Sequence, residues 1–289
     1  MPRTKAQAAT AEATTSFNEE FAVDKDESLL ETESKSFFMT TDEKNSLVKE
    51  IPPVKFESLT NILDFLTKES DDPIIIKDSI IKSQYKGSSI IKVDLTQVLD
   101  GQLDLHLSNP KKWTRLFKGL KADTNIVILN RENQFVVCNE QIKLFLPKQI
   151  ESLTESLEIP DLKETETICN VIIQKTSRDT ILKLAKEYDF IEYLIDDELK
   201  AINVPDTAIY ILPDYVKDEN ARKLTSATAK IVLRSKVFLP YTTETYNVII
   251  GHNLVNDSYF SYTTCRDGML NIEIYEQLDN ASNVAGFDF

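Results

Sequence analysis

Residues 110–121 read PKKWTRLFKGLK, a stretch without an acidic residue in a chain whose formal net charge is −14. Its apolar residues recur at helical spacing, so the stretch predicts a helix with one apolar side that packs on a sheet. That side carries Trp113, Leu116, Phe117 and Leu120. The opposite side carries Lys111, Arg115 and Lys118, with Lys112 near its edge. Such a face suits a polyanion, although on this helix alone a solvated amphipathic helix is the simpler interpretation.

The composition bounds the size and the partners of the protein. The chain has 289 residues, of which 42% are hydrophobic and 28% charged, enough for two domains of ordinary size. Asp and Glu number 47 against 33 Lys and Arg, and the sequence pI is near 4.7. This balance argues against a protein that binds nucleic acid over most of its surface, because most of the surface would repel phosphate. Local binding by one face stays open.

The rarer residues argue against several kinds of site. Cys138, Cys169 and Cys265 lie in apolar, strand-like contexts without a CxxC pair, which predicts buried thiols in an intracellular, reducing compartment. His106 and His252 have no nearby cysteine, so no metal site is predicted, although a carboxylate site stays open. Neither common nucleotide-binding loop occurs, and no cofactor is predicted. No membrane span or signal peptide is expected, and hence no membrane partner.

An enzyme finds little support in the sequence. Asp71-Asp72 and Asp196-Asp197-Glu198 are carboxylate groups of the kind that bind Mg²⁺, but both are expected at solvated turns. No nucleophile with a positioned base is evident. We therefore predict no catalytic residues.

The order of elements predicts an α+β protein built from two similar units. The predicted domains are residues 51–148 and 168–278, flanked by a disordered or loosely docked arm at 1–50 and a tail at 279–289, and joined by a connector at 149–167. The motifs TNIL at 60–63 and DTIL at 179–182 occupy corresponding helix positions. In the first unit, strands are predicted at 74–76, 80–84, 89–93, 103–107, 126–129, 135–138 and 142–146. In the second unit, a helix is predicted at 178–188, and strands at 168–174, 190–195, 200–204, 208–212, 230–234, 247–250, 259–264 and 270–276. The two units read as a diverged repeat.

Over residues 54–278 the chain resembles the ring-shaped sliding clamps of DNA replication, of the proliferating cell nuclear antigen type. The similarity rests on order and spacing, and on five short stretches: VDLT at 93–96, LFLP at 144–147, LEIP at 157–160, CNVII at 169–173 and the closing segment 270–277. It implies the DNA clamp fold, two tandem domains per chain and a ring formed by oligomerisation, predicted to be a homotrimer. It further implies a processivity factor that encircles double-stranded DNA without reading its sequence and tethers DNA polymerase. A clamp loader is a further candidate partner.

The resemblance assigns the basic residues to the helices that line the ring. The matching positions are Lys111, Lys112, Arg115, Lys118 and Lys121, with Lys183 and Lys186 on the helix of the second unit. Arg178 falls toward the apolar side of that helix. Two departures are expected. The first helix carries Glu57, Asn61, Asp64 and Lys68 on its polar side, and the fourth expected helix, around 237–246, contains Pro240 and is predicted to be short or irregular.

The resemblance also assigns an apolar pocket for partner peptides beside the connector. Its candidate residues are Ile150, Leu153, Leu157, Ile159, Leu162 and Leu278. The alternative, that these side chains only hold the connector on the sheet, stays open. Residues 142–146 are the predicted edge for pairing between subunits. The alternative function is a structural, β-rich viral or assembly protein, which would have no need for the basic helix face.

Overall fold

The computed structural model describes residues 45–69, 72–86, 89–101, 103–120, 125–148, 159–160, 162–196, 198–212 and 231–280. All of them belong to one unit of the chain. The predicted arm up to residue 44, the tail from 281, and the candidate site residues Lys121, Ile150, Leu153 and Leu157 lie outside the described residues.

The first repeat places two helices and a one-turn helix among eight strands. Its elements are β1 (Leu47–Ile51), α1 (Pro53–Glu69), β2 (Ile74–Lys77), β3 (Ile80–Tyr85), β4 (Ser89–Asp94), the one-turn α2 (Thr96–Leu99), β5 (Leu105–Leu107), α3 (Pro110–Gly119), β6 (Ile126–Arg131), β7 (Gln134–Cys138) and β8 (Lys143–Pro147). They form two strand groups, in the orders β1-β6-β7-β8 and β5-β2-β3-β4.

The second repeat uses the same order. A 3₁₀ turn (Leu162–Glu164) leads into β9 (Thr165–Gln174), α4 (Lys175–Leu184), β10 (Ile191–Asp196), β11 (Glu198–Val204), β12 (Ala208–Ile211), β13 (Ile231–Ser235), β14 (Thr245–Asn253), β15 (Ser258–Asp267) and β16 (Leu270–Asn280). Its strand groups are β9-β14-β15-β16 and β13-β10-β11-β12, position for position those of the first repeat. Every predicted strand is present, and the predicted diverged repeat is confirmed.

Four predicted boundaries need correction. β16 runs to Asn280, two residues into the predicted tail at 279–289. β1 begins at Leu47, inside the segment assigned to the arm. Among the described strands it pairs with β6 alone, which lies far along the chain, so local residue spacing did not reveal it. β9 begins at Thr165, inside the predicted connector, where it gains pairing from β14. The second-unit helix spans Lys175–Leu184 rather than 178–188, so Lys186 lies beyond its end.

One strand junction joins the two repeats into a twelve-stranded sheet. β16 pairs antiparallel with β4, from Asn271 opposite Asp94 to Glu276 opposite Ser89. Across this junction Lys92 Nζ lies 2.7 Å from Glu273 Oε1, and the Tyr262 hydroxyl donates to the other oxygen of Glu273 at 2.7 Å. Five of the described strands pair on one side only, namely β1, β5, β8, β9 and β12, and of these β8 and β12 correspond to β16 and β4, the pair already used inside the chain.

The predicted apolar side of residues 110–121 is buried as expected, but its ring contact is with helix α1 rather than with a strand. Trp113, Phe117 and Leu120 are buried, and the Phe117 ring lies 5.8 Å from the ring of Phe56 on α1. Helix α1 contributes its own apolar stripe to the same core, namely Phe56, Leu59, Ile62, Leu63 and Leu66. The two helices therefore cover the first repeat together.

The second repeat has no counterpart of α3. Residues 236–244, which are all described, form bends instead of the fourth helix. Val237, Phe238, Leu239 and Tyr241 are nevertheless buried, and the Phe65 ring of α1 meets Tyr241 edge-on at 5.0 Å. The expected departure at Pro240 is confirmed, since proline interrupts helical hydrogen bonding.

None of the described helices combines the length and apolar character needed to cross a membrane.

Candidate nucleic-acid interface

Helix α3 begins at a local signal in the sequence. Pro110 occupies its first turn, and the Asn109 side chain caps the helix by accepting a hydrogen bond from the Lys112 backbone N–H at 3.1 Å. An Asn cap followed by Pro is a favoured helix start, because the cap satisfies a free N–H and Pro needs none. The capped first turn fixes where the helix begins, and the 3.6-residue period then determines which side chains face outward.

The outward side of α3 is basic along its whole length. Its exposed charged residues are Lys111, Lys112, Arg115 and Lys118. The Lys112 ammonium lies over the ring of Trp113, 5.1 Å from its centroid. The structure thus brings together four of the five basic positions predicted for this helix.

Helix α1 borders this basic face with mixed charge. Its outward residues are Glu57, Asn61, Asp64 and Lys68, as expected from the sequence. One of them, Asp64, reaches α3: its Oδ1 lies 2.7 Å from Lys118 Nζ, while its Oδ2 lies 3.8 Å from Lys68 Nζ. The positive field of α3 is therefore countered at Lys118.

Helix α4 adds little to the basic surface. Lys183 is exposed in its last turn, and Lys186 is exposed in the turn that follows the helix. Lys175 forms an ion pair with Glu244 at 3.0 Å. The two predicted lysines of the second repeat do not form a continuous face like that of α3.

Arg178 has a structural role. It is 7% exposed, and its guanidinium donates to the carbonyl oxygens of Leu239 at 2.7 Å and Pro240 at 3.2 Å. A third bond reaches Asp179 at 2.8 Å. Arg178 thus ties α4 to the irregular segment, in agreement with its predicted position toward the apolar side.

Glu276 was not identified from the sequence. This buried carboxylate on β16 accepts hydrogen bonds from the Ser235 hydroxyl at 2.7 Å and from the backbone N–H groups of Lys236 at 2.7 Å and Val237 at 3.0 Å. Burial raises the pKa of Glu276 to about 7, although these hydrogen bonds act in the opposite direction. The only sequence signal was a charged residue at an inward position of an alternating strand.

The described candidates for the partner pocket have different surroundings. Ile159 and Leu162 are half-buried at the end of the connector, whereas Leu278 is buried in the core. Sequence reasoning missed the β14–β15 hairpin tip, where Leu254 is 61% and Val255 72% exposed. The Leu254 N–H donates to the Glu164 carbonyl at 3.2 Å, which places this apolar tip beside the connector end.

Groups suited to other chemistry are sparse. Within the described ranges, no three His, Cys, Asp or Glu side chains form a group that could hold a metal ion. The cysteines Cys138, Cys169 and Cys265 are buried thiols. Of the two predicted carboxylate groups, Asp71 and Asp197 lie outside the described residues.

Comparison with known proteins identifies the fold. No family model and no curated protein matches the sequence. Among solved structures, the proliferating cell nuclear antigen of Entamoeba histolytica superposes with a TM-score of 0.58 at 10% identity, over 81% of this chain and 99% of that one. The proliferating cell nuclear antigen of A. fulgidus, solved with the C-terminal region of FEN-1 bound to it, gives a TM-score of 0.57 at 10% identity, over 81% of this chain and 99% of that one. The DNA polymerase III beta chain of Streptococcus pneumoniae gives a TM-score of 0.53 at 13% identity, over 83% of this chain and 68% of that one. The chain therefore has the fold of the DNA sliding clamps.

Proposed function

We propose that this protein is a DNA sliding clamp, a non-enzymatic processivity factor that encircles duplex DNA and tethers a DNA polymerase. The observation that carries the proposal is the outward face of α3, a helix without an acidic residue. This face exposes Lys111, Lys112, Arg115 and Lys118. A protein of formal net charge −14 that has the clamp fold and keeps one basic helix face is suited to hold phosphate inside a ring and repel it outside.

The strength of the DNA contact follows from the small number of cations. Each phosphate neutralised by a lysine or arginine contributes about −0.9 to the slope of log affinity against log salt. With its basic residues concentrated on α3, each subunit makes few phosphate contacts, so the duplex is held loosely. Retention is then topological, and it keeps the polymerase near its template as an intramolecular partner.

Ring closure follows from the internal repeat. Inside the chain, β16 of the second repeat pairs with β4 of the first. The corresponding strands are β8 and β12, each of which pairs on one side only among the described strands, so β8 of one subunit would pair with β12 of the next. Both edges expose large apolar side chains, Phe145 on β8 and Ile209 and Ile211 on β12, as expected of strands that are covered on assembly. Three copies would supply six repeats.

The first experiment compares retention on closed circular and linear duplex DNA after the protein is loaded. A clamp remains on the circle and slides off the linear ends. Light scattering should give a trimer mass, and Ile209→Lys or Phe145→Lys should shift it toward the monomer. A wild-type monomer at all concentrations, or equal retention on both DNAs, would overturn the proposal.

The basic face is tested by the triple change of Lys111, Arg115 and Lys118 to alanine. We expect at least roughly a tenfold loss of duplex affinity and a salt slope weaker by about two, one for each of Lys111 and Arg115, because Lys118 is engaged by Asp64. The control triple changes Lys77, Lys82 and Arg131, exposed residues outside the helices, to alanine and removes the same charge. Equal losses in both triples would show that net charge, not the α3 face, governs binding.

Partner peptides are proposed to bind at the connector end. The half-buried Ile159 and Leu162, together with the exposed Leu254 and Val255, provide apolar contacts there. In the A. fulgidus structure a clamp has the C-terminal region of FEN-1 bound, which supports peptide capture by this fold. The double change of Leu254 and Val255 to serine should reduce processive synthesis by a purified DNA polymerase on a circular template while retention of the clamp itself stays unchanged.

A further inference from the structure

The basic face of α3 contains a carboxylate supplied by its neighbour. Asp64 is on the outward side of α1, and its two oxygens engage Lys118 of α3 at 2.7 Å and Lys68 of α1 at 3.8 Å. The shorter distance is that of a charge-assisted hydrogen bond, and it has the length expected for a lysine bound to a phosphate oxygen. Asp64 therefore occupies a place at Lys118 where a DNA phosphate would lie.

The pair contributes little to holding the two helices together. The side chains of Lys118 and Asp64 are 48% and 36% exposed, and ion pairs this exposed typically contribute about 0–1 kcal/mol. The contact between α1 and α3 rests on buried rings, with Phe56 and Phe117 at 5.8 Å. Removing Asp64 should thus leave the fold intact and change mainly the electrostatic field of the basic face.

We propose that Asp64 is a built-in competitor for DNA phosphate, which sets how loosely the clamp holds the duplex. This inference rests on the proposed function. Lys118 must leave Asp64, or share it, before it can bind phosphate, so one cation of the face is held back. Weaker holding favours sliding, because each phosphate contact must break as the ring moves.

The test measures the affinity of the full chain for a short linear duplex, which requires no loading, across a salt series. Asp64→Asn keeps the shape of the side chain and removes its charge. We expect affinity to rise about three- to tenfold at low salt, with a slope steeper by about one, equivalent to one additional phosphate contact. The melting temperature reports that the variant is folded, and Asp64→Ala provides a second variant with the same expected gain.

The matched control is Glu57→Gln. Glu57 is exposed on the same side of α1, two helical turns before Asp64, and the change removes the same charge. Its effect should be much smaller than that of Asp64→Asn. In a Lys118→Ala background the gain from Asp64→Asn should largely disappear, because the pair then no longer exists.

The outcomes separate this inference from the proposed function. Equal gains for Glu57→Gln and Asp64→Asn, no gain for Asp64→Asn, or a gain that persists without Lys118 would overturn the role of Asp64. The triple change of Lys111, Arg115 and Lys118 would in those cases still weaken binding if the proposed function is correct. A wild-type chain that neither binds duplex nor stays on circular DNA would overturn both.

Discussion

The two repeats share one strand order but cover their sheets in different ways. In the first repeat the amphipathic helix α3 packs Trp113 and Phe117 inward and presents cations outward. In the second repeat the corresponding segment, residues 236–244, has no helix. It is held instead by the buried polar groups of Arg178 and Glu276.

This difference shows that the same strand order can be packed against either a helix or an irregular segment. Apolar packing lets a helix direct all its polar residues to solvent, so a continuous charged face can form. An irregular segment leaves backbone groups without helical partners, and buried side chains must satisfy them. We infer that the first repeat supplies most of the DNA contact and that the second supplies mainly structure.

The largest expected effect comes from breaking the apolar cover of the first repeat. Phe117→Ala removes a buried ring that packs on Phe56, and truncations of this kind cost about 3–5 kcal/mol. Urea unfolding should show this loss in the free energy of unfolding. Leu116→Ala, at a half-buried position on the same helix, serves as the control and should cost clearly less. Equal losses would show that Phe117 has no special role in holding α3.

The next effect is a pH dependence from the second repeat. Because burial raises the pKa of Glu276 to about 7, from 4.5 in the unfolded chain, the folded state binds the proton more tightly. The stabilisation is therefore complete below pH 4.5, and the free energy of unfolding falls as pH rises through 7, by on the order of 3 kcal/mol. Glu276→Gln should remove this dependence.

The measurement is urea unfolding of wild type and Glu276→Gln at pH 5 and pH 8. Gln can accept from the two backbone N–H groups and donate to Ser235, so the variant should match wild type at pH 5 and exceed it at pH 8. Glu187→Gln, an exposed change on the same repeat, should leave the pH dependence intact. Parallel curves for wild type and Glu276→Gln would refute the assignment.

A slightly smaller effect is expected from Arg178→Ala. The change leaves the carbonyl oxygens of Leu239 and Pro240 without their donors, which should cost on the order of 2–3 kcal/mol. Lys183→Ala on the exposed side of the same helix should alter the free energy of unfolding by less than about 0.5 kcal/mol. If the two variants unfold alike, the irregular segment does not depend on Arg178.

The smallest effect should be on DNA affinity in the second repeat. The double change of Lys183 and Lys186 to alanine should weaken duplex binding about twofold or less, while the matched change of Lys111 and Arg115 should weaken it several-fold. Binding assays on the same linear duplex at one salt concentration compare them directly. A reversed order would show that the second repeat carries the DNA contact, against the proposed asymmetry.

The amino-acid sequence by itself determined the features that depend on local spacing. Periodicity predicted every strand of both repeats except β1, together with the two sides of α3, and Pro240 predicted that the fourth helix would be short or irregular. These predictions succeed because a helix or strand buries one side at a fixed residue interval, which near neighbours reveal.

Only the tertiary structure decided which polar groups meet. Asp64 and Lys118 are 54 positions apart, and Glu276 accepts from residues about 40 positions away. Strand β1 likewise depends on distant β6, and the open edges β8 and β12 emerge only when the whole pairing order is known. Such contacts depend on how the sheets bring remote segments together, and residue spacing within one element carries no information about that.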